Sequence, residues 1–291
     1  MDTLGVGIAE AGMIGPFHAE AIYELRDARL VAVAEAREVS GRKLAEAHGA
    51  EWHAELGELL GRSDVDVVVI CTPSGLHPDQ AVAAARAGKH VITEKPMATT
   101  LEGADRTIRA CGEASVSLSM IFQYRFNRDA VRLKRAVEAG LFGRPVLGNA
   151  FVHWSRTQAY YEESGGWRGT WALDGGGALM NQSIHAIDLL QWILGPVESL
   201  CGYAETLAHD IEAEDTASAT LPFVSSLFTK ARRRAPLRTS PKLSSTKFRG
   251  QEGPLLSRSA RGPHAVDPHP ARCAGRPTSV RSLRWTDLRS G

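Results

Sequence analysis

Gly12 and Gly15 stand in Glu10-Ala11-Gly12-Met13-Ile14-Gly15, just after a short apolar run from Leu4 to Ala9. Glycines at that spacing let a backbone approach a pyrophosphate, which then rests on the N-terminus of the next helix. The full pattern carries another glycine two positions before Gly12, and here that position is Glu10. Glu35 follows Gly15 by twenty residues, where a carboxylate accepts hydrogen bonds from an adenosine ribose. Gly12, Met13, Ile14, Gly15 and Glu35 are therefore candidates for holding NAD. Glu35 would repel a 2′-phosphate and favours NAD, while Arg37 beside it leaves NADP open. Glu10 adds backbone strain at the turn and like-charge repulsion toward a pyrophosphate, so it should weaken binding. The competing reading is a fold in which Gly12 and Gly15 serve only tight packing.

These residues need a scaffold, and the first 122 residues supply its pattern. Strands are expected at Leu4 to Ala9, Leu30 to Ala34, Val65 to Cys71, His90 to Thr93 and Val116 to Ile121. Helices are expected after Gly15, with Ile14, Phe17, Ala21 and Leu25 on one face, and at Ser40 to His48, Pro78 to Ala87 and Leu101 to Ala114. Val65 to Cys71 is nearly all apolar and β-branched, the mark of a strand buried on both faces. Strands separated by helices imply an α/β class with a doubly wound parallel sheet, a Rossmann domain over 1–122. Thr72, Pro73, Ser74 and His77 form the loop after Val65–Cys71, the usual rim of a dinucleotide crevice. Gln123 and Arg125 follow the last strand and could line the same crevice.

Two further motifs carry chemistry. Glu94-Lys95-Pro96 follows a strand, and Asp174-Gly175-Gly176-Gly177-Ala178-Leu179-Met180-Asn181-Gln182-Ser183-Ile184-His185-Ala186-Ile187-Asp188 comes later. With Thr72-Pro73 and His77 they resemble the Gfo/Idh/MocA family, which includes glucose-fructose oxidoreductase and inositol dehydrogenase. The resemblance runs from about Leu4 to Thr220. It implies an N-terminal Rossmann domain, an α/β second domain with a mostly antiparallel sheet, and homo-oligomers. It implies oxidation of a secondary alcohol on a sugar or cyclitol, or reduction of the ketone, with NAD(P). Lys95 would sit beside the nicotinamide, with Glu94 near it, and contact the reacting hydroxyl. His185 would accept the proton. Trp167-Arg168-Gly169-Thr170-Trp171 looks most like members acting on sugars, including nucleotide-linked sugars.

The residue types agree with that chemistry. A histidine can take a hydroxyl proton near neutral pH, and a lysine can stabilise a developing alkoxide. Asn181 and His185 are four apart, so a helix starting near Leu179 would put both on one face. That would set an amide donor beside the imidazole. The family often has Asp at this position, and Asn181 takes no proton, leaving that role to His185 alone. Asp188 is expected to bond within the helix or an interface. Trp154, Arg156, Tyr160, Tyr161, Trp167, Arg168 and Trp171 could face a sugar, with packing inside the second domain as the alternative. Arg125, Trp167, Arg168 and Asn181 are thus substrate candidates, together with Lys95 and His185.

Composition sets the outer limits. No run of about 18 apolar residues occurs, so a membrane span is not expected. No secretory signal pattern opens the chain, and Cys71, Cys111, Cys201 and Cys273 form no C-x-x-C pair. A reducing cytoplasm and no metal site are the expectations. Residues 222–291 hold 15 Lys+Arg against 3 Asp+Glu and 8 of the 14 prolines, whereas the rest holds 19 basic and 30 acidic residues. The second domain, with strands at Val146 to Trp154, Val197 to Ala208 and Asp215 to Leu221, is thus expected over 123–221 and incomplete. The tail over 222–291 reads as a disordered basic segment with no family pattern after Phe223. A shifted reading frame near codons 221–225 would produce such a tail. A nucleic-acid-binding arm is the rival, weakened by scattered basic residues and few aromatics.

The fingerprint yields the first prediction. Glu10→Gly should tighten NAD binding by about 1–3 kcal/mol, the range for relieved backbone strain. Calorimetric titration of both proteins with NAD checks it, and equal affinities would refute it.

Overall fold

The computed structural model describes residues 3–163 and 165–224. Its first unit is a six-stranded sheet of β1 (Leu4–Ala9), β2 (Ala28–Ala34), β3 (Glu51–His53), β4 (Val67–Ile70), β5 (His90–Thr93) and β6 (Leu118–Met120). The strand order is β3-β2-β1-β4-β5-β6 and every pairing is parallel. Parallel neighbours require crossovers, and helices α1 (Gly15–Tyr23), α2 (Glu38–Ala47), α3 (Leu56–Leu60), α4 (His77–Arg86) and α5 (Leu101–Glu113) supply them. One apolar cluster joins Val31, Leu59, Val65, Val68, Ile70 and Val91 to the alanines of α4. The other joins Val6, Ile8, Val33 and Val69 to Ala19, Ile22 and Leu44. Order reverses between β1 and β4, so the ends of these strands frame a crevice for a ligand.

The doubly wound sheet is the one expected, but details differ. Of the expected inner face of α1, only Ile14 packs against the core. Phe17 and Leu25 are 69% and 54% exposed, while Ala19 and Ile22 are buried. The cause is Gly15. A Cβ there would lie 2.5 Å from the Glu10 carbonyl oxygen, so the helix meets the turn on its glycine and positions 15, 19 and 22 point inward. Neither β3 nor α3 is apparent in the sequence. Three residues are too few to alternate, and Leu59 seats its side chain over Gly7, whose Cβ would lie 2.7 Å from it.

A second set of elements follows: α6 (Arg128–Glu138), α7 (Gln158–Glu162), a π-helical turn (Ala178–Ser183), α8 (Ile184–Leu194), β7 (Cys201–Glu205) and β8 (Thr216–Thr220). β7 and β8 pair antiparallel, and a single bridge joins Val197 to Phe223. The expected strand at Val146 to Trp154 does not form, because no strand among the described residues lies beside it to accept its hydrogen bonds. From residue 225 onward the basic tail lies outside the described residues.

Leu59 is fully buried between sheet and helices. Leu59→Ala should cost about 2–5 kcal/mol, the range for a truncated buried leucine. Urea unfolding measures it, and a loss under 1 kcal/mol would contradict this packing.

Candidate active site at the strand ends

The turn after β1 is built around two carboxyl groups. Glu10 adopts φ 81, the left-handed region that favours glycine, and its N–H donates to the Ala34 carbonyl at 2.8 Å. Its side chain folds across the turn, so that a Cβ on Gly12 would meet Glu10 Oε1 at 2.7 Å. Glu35 is buried and accepts the Ala11 N–H at 2.8 Å, the Arg37 N–H at 2.9 Å and Arg37 Nε at 3.0 Å. Burial pushes Glu35 up, but these donors outweigh it and hold the carboxyl below its usual range. Glu10 lacks such donors. Burial, with the Glu35 charge adding to it, lifts its pKa from 4.5 to about 7. The N–H groups of Gly12 and Met13 have no acceptor among the described residues. Backbone donors at a helix start, with glycines where side chains would intrude, fit a dinucleotide phosphate. Met13 is 70% exposed, and Ile14 precedes α1 directly.

The loops after β4 and β5 are tied together. His77 is buried, with Nδ1 2.7 Å from the Pro96 carbonyl and Nε2 2.7 Å from the Thr72 carbonyl. Thr72 Oγ1 donates to Gln80 Oε1 at 2.7 Å, and Pro73 leads into a short 3₁₀ turn beginning at the buried Ser74. Glu94 accepts the Lys95 N–H at 3.1 Å and contacts His18 Nε2 at 2.9 Å. Burial raises Glu94, yet His18 and the backbone donor leave it below the usual carboxylate range. His77 thus fastens the loop that carries Lys95 to the rim of the crevice.

Lys95 reaches across to the second set of elements. Its Nζ donates to the Asn181 carbonyl at 3.1 Å and lies 3.5 Å from Asn181 Oδ1. Burial lowers the ammonium's pKa, while Glu94 and Asp174 oppose that drop. His185 is 7% exposed, stacks on Tyr124 at 4.7 Å between centroids and meets the edge of Phe122. Burial first, then the Lys95 charge, pushes the imidazole below its ordinary value, so it is neutral at pH 7. Its Nδ1 is buried and has no partner among the described residues. A neutral imidazole near a half-buried ammonium is suited to proton transfer.

One expectation is corrected. Asn181 and His185 do not lie on one continuous α-helix. Residues Ala178–Ser183 form a π-helical turn, and α8 starts only at Ile184. Glu214 caps the start of the turn: its backbone carbonyl accepts the Ala178 N–H at 2.7 Å and its carboxylate the Leu179 N–H at 2.8 Å. The Asn181 amide donates to Asp174 Oδ1 at 2.5 Å, not to the imidazole.

The remaining candidates are distributed around this centre. Arg125 makes a two-pronged pair with the buried Asp188, at 2.8 and 2.5 Å, which commits both groups to each other. Gln123 opens the exposed turn before α6. Arg168 lies over Tyr160 at 4.6 Å and Trp167 at 5.1 Å, with Nη2 4.0 Å from Met13 Sδ. Arg156 spans Trp154 and Tyr160, Tyr161 is buried, and Trp171 is exposed. Asp174 was absent from the sequence-derived site. Its only signal was its place before the glycine run. Among the described residues no cluster of three His, Cys, Asp or Glu could hold a metal, and no helix is long and apolar enough to cross a membrane.

Sheet order, glycine turn and strand-end site together define a protein of the dinucleotide-binding Rossmann class. Residues 4–122 match the oxidoreductase family with an NAD-binding Rossmann fold, and 130–236 match the GFO/IDH/MocA C-terminal domain. The second match continues past Phe223, where the sequence reading ended the resemblance. The chain belongs to the Gfo/Idh/MocA oxidoreductase family. It is 33% identical over 196 residues to myo-inositol 2-dehydrogenase of Thermotoga maritima, covering 65% of this chain and 54% of that protein. The WlbA dehydrogenase of Bordetella pertussis, solved with NADH and UDP-GlcNAcA, is 42% identical with a TM-score of 0.74, over 77% of this chain and 64% of that one. The Chromobacterium violaceum WlbA structure, with the same ligands, gives 40% and 0.73, over 77% and 65%. The chain spans about half the length of the curated relatives it matches.

The Glu10 carboxyl has a sign-defined consequence. Its folded pKa of about 7 lies above the 4.5 of a free carboxyl, so the folded state binds more protons between those values. Its contribution to stability is present below about pH 4.5 and is lost as pH rises through 7. Glu10→Gln should remove this slope and raise stability at pH 8 by about 1–3 kcal/mol. Melting temperatures of both proteins from pH 5 to 8 measure it, and parallel curves would contradict the burial of this group.

Proposed function

We propose that this protein is an NAD-dependent oxidoreductase that moves hydride between the nicotinamide and a carbon bearing a secondary hydroxyl of a sugar, cyclitol or nucleotide sugar. The observation that carries the reading is the half-buried Lys95 ammonium held by Asn181, with the buried His185 imidazole near it. Gly12, Met13 and Gly15 would hold the pyrophosphate and Glu35 the adenosine ribose. Bound there, NAD supplies the hydride acceptor. Lys95 hydrogen-bonds the substrate oxygen and stabilises negative charge as the hydroxyl proton leaves. His185 receives that proton, and its depressed pKa keeps it ready at neutral pH. Asn181 fixes the ammonium. The Arg37 guanidinium is engaged by Glu35, which supports NAD over NADP. Arg168 and Trp167 would flank the substrate, and the two WlbA relatives with UDP-GlcNAcA support a nucleotide sugar among the candidates. A cytoplasmic setting is part of the same reading.

A second reading rests on Glu10. A carboxyl folded over Gly12 at strained φ suits a protein that binds dinucleotide weakly and does no chemistry. The two separate by assay. NAD should raise the melting temperature under either reading. Only the enzyme should form NADH with a panel of sugars, inositols and nucleotide sugars, and Lys95→Met should then lower kcat at least about 100-fold. Thermal stabilisation without NADH from any substrate would favour the second reading.

A further inference from the structure

Outside the residues assigned to the chemistry, one acid stands directly behind Lys95. Asp174 is 1% exposed. Its Oδ2 accepts the Gly169 N–H at 2.9 Å, and its Oδ1 accepts Asn181 Nδ2 at 2.5 Å. An amide whose NH₂ is held by a carboxylate must point its carbonyl the other way. Asn181 Oδ1 indeed lies 3.5 Å from Lys95 Nζ, and the backbone carbonyl of the same residue accepts from that ammonium at 3.1 Å. Carboxylate, amide and ammonium therefore form one ordered chain. Asn181 carries no charge of its own, so the compensating charge sits one hydrogen bond further back.

We propose that Asp174 is a positioning residue that orients the Asn181 amide and, through it, fixes and charge-balances the Lys95 ammonium. Its link to catalysis rests on the reading above, whereas its effect on Lys95 does not. Every charged group facing Lys95 bears on this. Glu94 lies on the adjoining residue and is already held by His18. Arg168 and His185 approach from the second set of elements, and the Arg168 charge disfavours a second cation. Asp174 is thus the carboxylate that balances Lys95 from across the crevice. Burial outweighs the Gly169 N–H, the Asn181 amide and the Lys95 and Arg168 charges and leaves the Asp174 carboxyl above its usual value.

The test needs no substrate. Acetic anhydride labels only the neutral amine, so the pH dependence of Lys95 acetylation, read by peptide mass spectrometry against exposed lysines, reports its protonation. Asp174→Asn should raise Lys95 labelling at pH 7 about tenfold, and Asp174→Glu should restore most of the protection. Should Asp174→Asn fail to fold, Asp174→Ser, which also removes the carboxylate, takes its place with the same expected rise in labelling. Unchanged labelling in a folded variant, confirmed by its melting curve, would overturn the proposal. With an active substrate, Asp174→Asn should also move the alkaline limb of kcat to lower pH with KM little changed. Loss of protection in a protein that turns over no substrate would support this role of Asp174 while defeating the enzymatic reading.

Discussion

A half-buried ammonium has to be given acceptors and a counter-charge, since it has lost part of its water. Lys95 emerges after β5 on the first sheet, but its acceptors are both on Asn181, 86 residues later. That requirement connects the two parts of the molecule, alongside the Gly75 N–H that donates to the Leu173 carbonyl at 2.8 Å. The loop bearing Lys95 is held by His77 against Thr72 and Pro96. The turn bearing Asn181 is held by Asp174 and by Glu214. His185 then falls beside the same ammonium at the start of α8, enclosed by Tyr124 and Phe122. Its neutrality is a consequence of being buried next to a cation.

The glycine turn obeys a different constraint. The carbonyl of Glu10 and the backbone of Gly15 approach closely enough to exclude a side chain, which orients α1 on the sheet. Glu10 keeps the backbone conformation of a glycine while bearing a carboxyl. The fold tolerates it by bending the side chain over Gly12 and raising its pKa to about 7, so that much of its charge is lost near neutrality. Glu35 takes the opposite course and stays ionised, because Ala11 and Arg37 donate to it. Two acids side by side thus differ through their donors, and the poorly satisfied one is an outlier at the place where a cofactor phosphate would approach.

Much of this was legible in the residues. The apolar runs at β1, β4 and β5 and the spacing of Gly12, Gly15 and Glu35 specify a parallel sheet with a dinucleotide turn, because burial on both faces leaves little ambiguity. The motifs around Lys95 and His185 pointed to the site. What remained hidden depended on contacts distant in sequence. The inner face of α1 follows from one close approach at Gly15. The turn that carries Asn181 is capped by Glu214, 33 residues later. A 3.6-residue repeat contains no trace of either. The missing strand at Val146 to Trp154 shows the same limit, since alternation describes a strand but only a neighbour makes one.

Transfer of deuterium tests the central claim most directly. The protein would be incubated with NADH deuterated at C4 and with oxidised sugars, cyclitols and nucleotide sugars, and the products weighed by mass spectrometry. Hydride transfer at this site predicts one deuterium on the newly formed carbinol carbon, abolished in Lys95→Met. Saturating NADH binding with no deuterium in any product would contradict it.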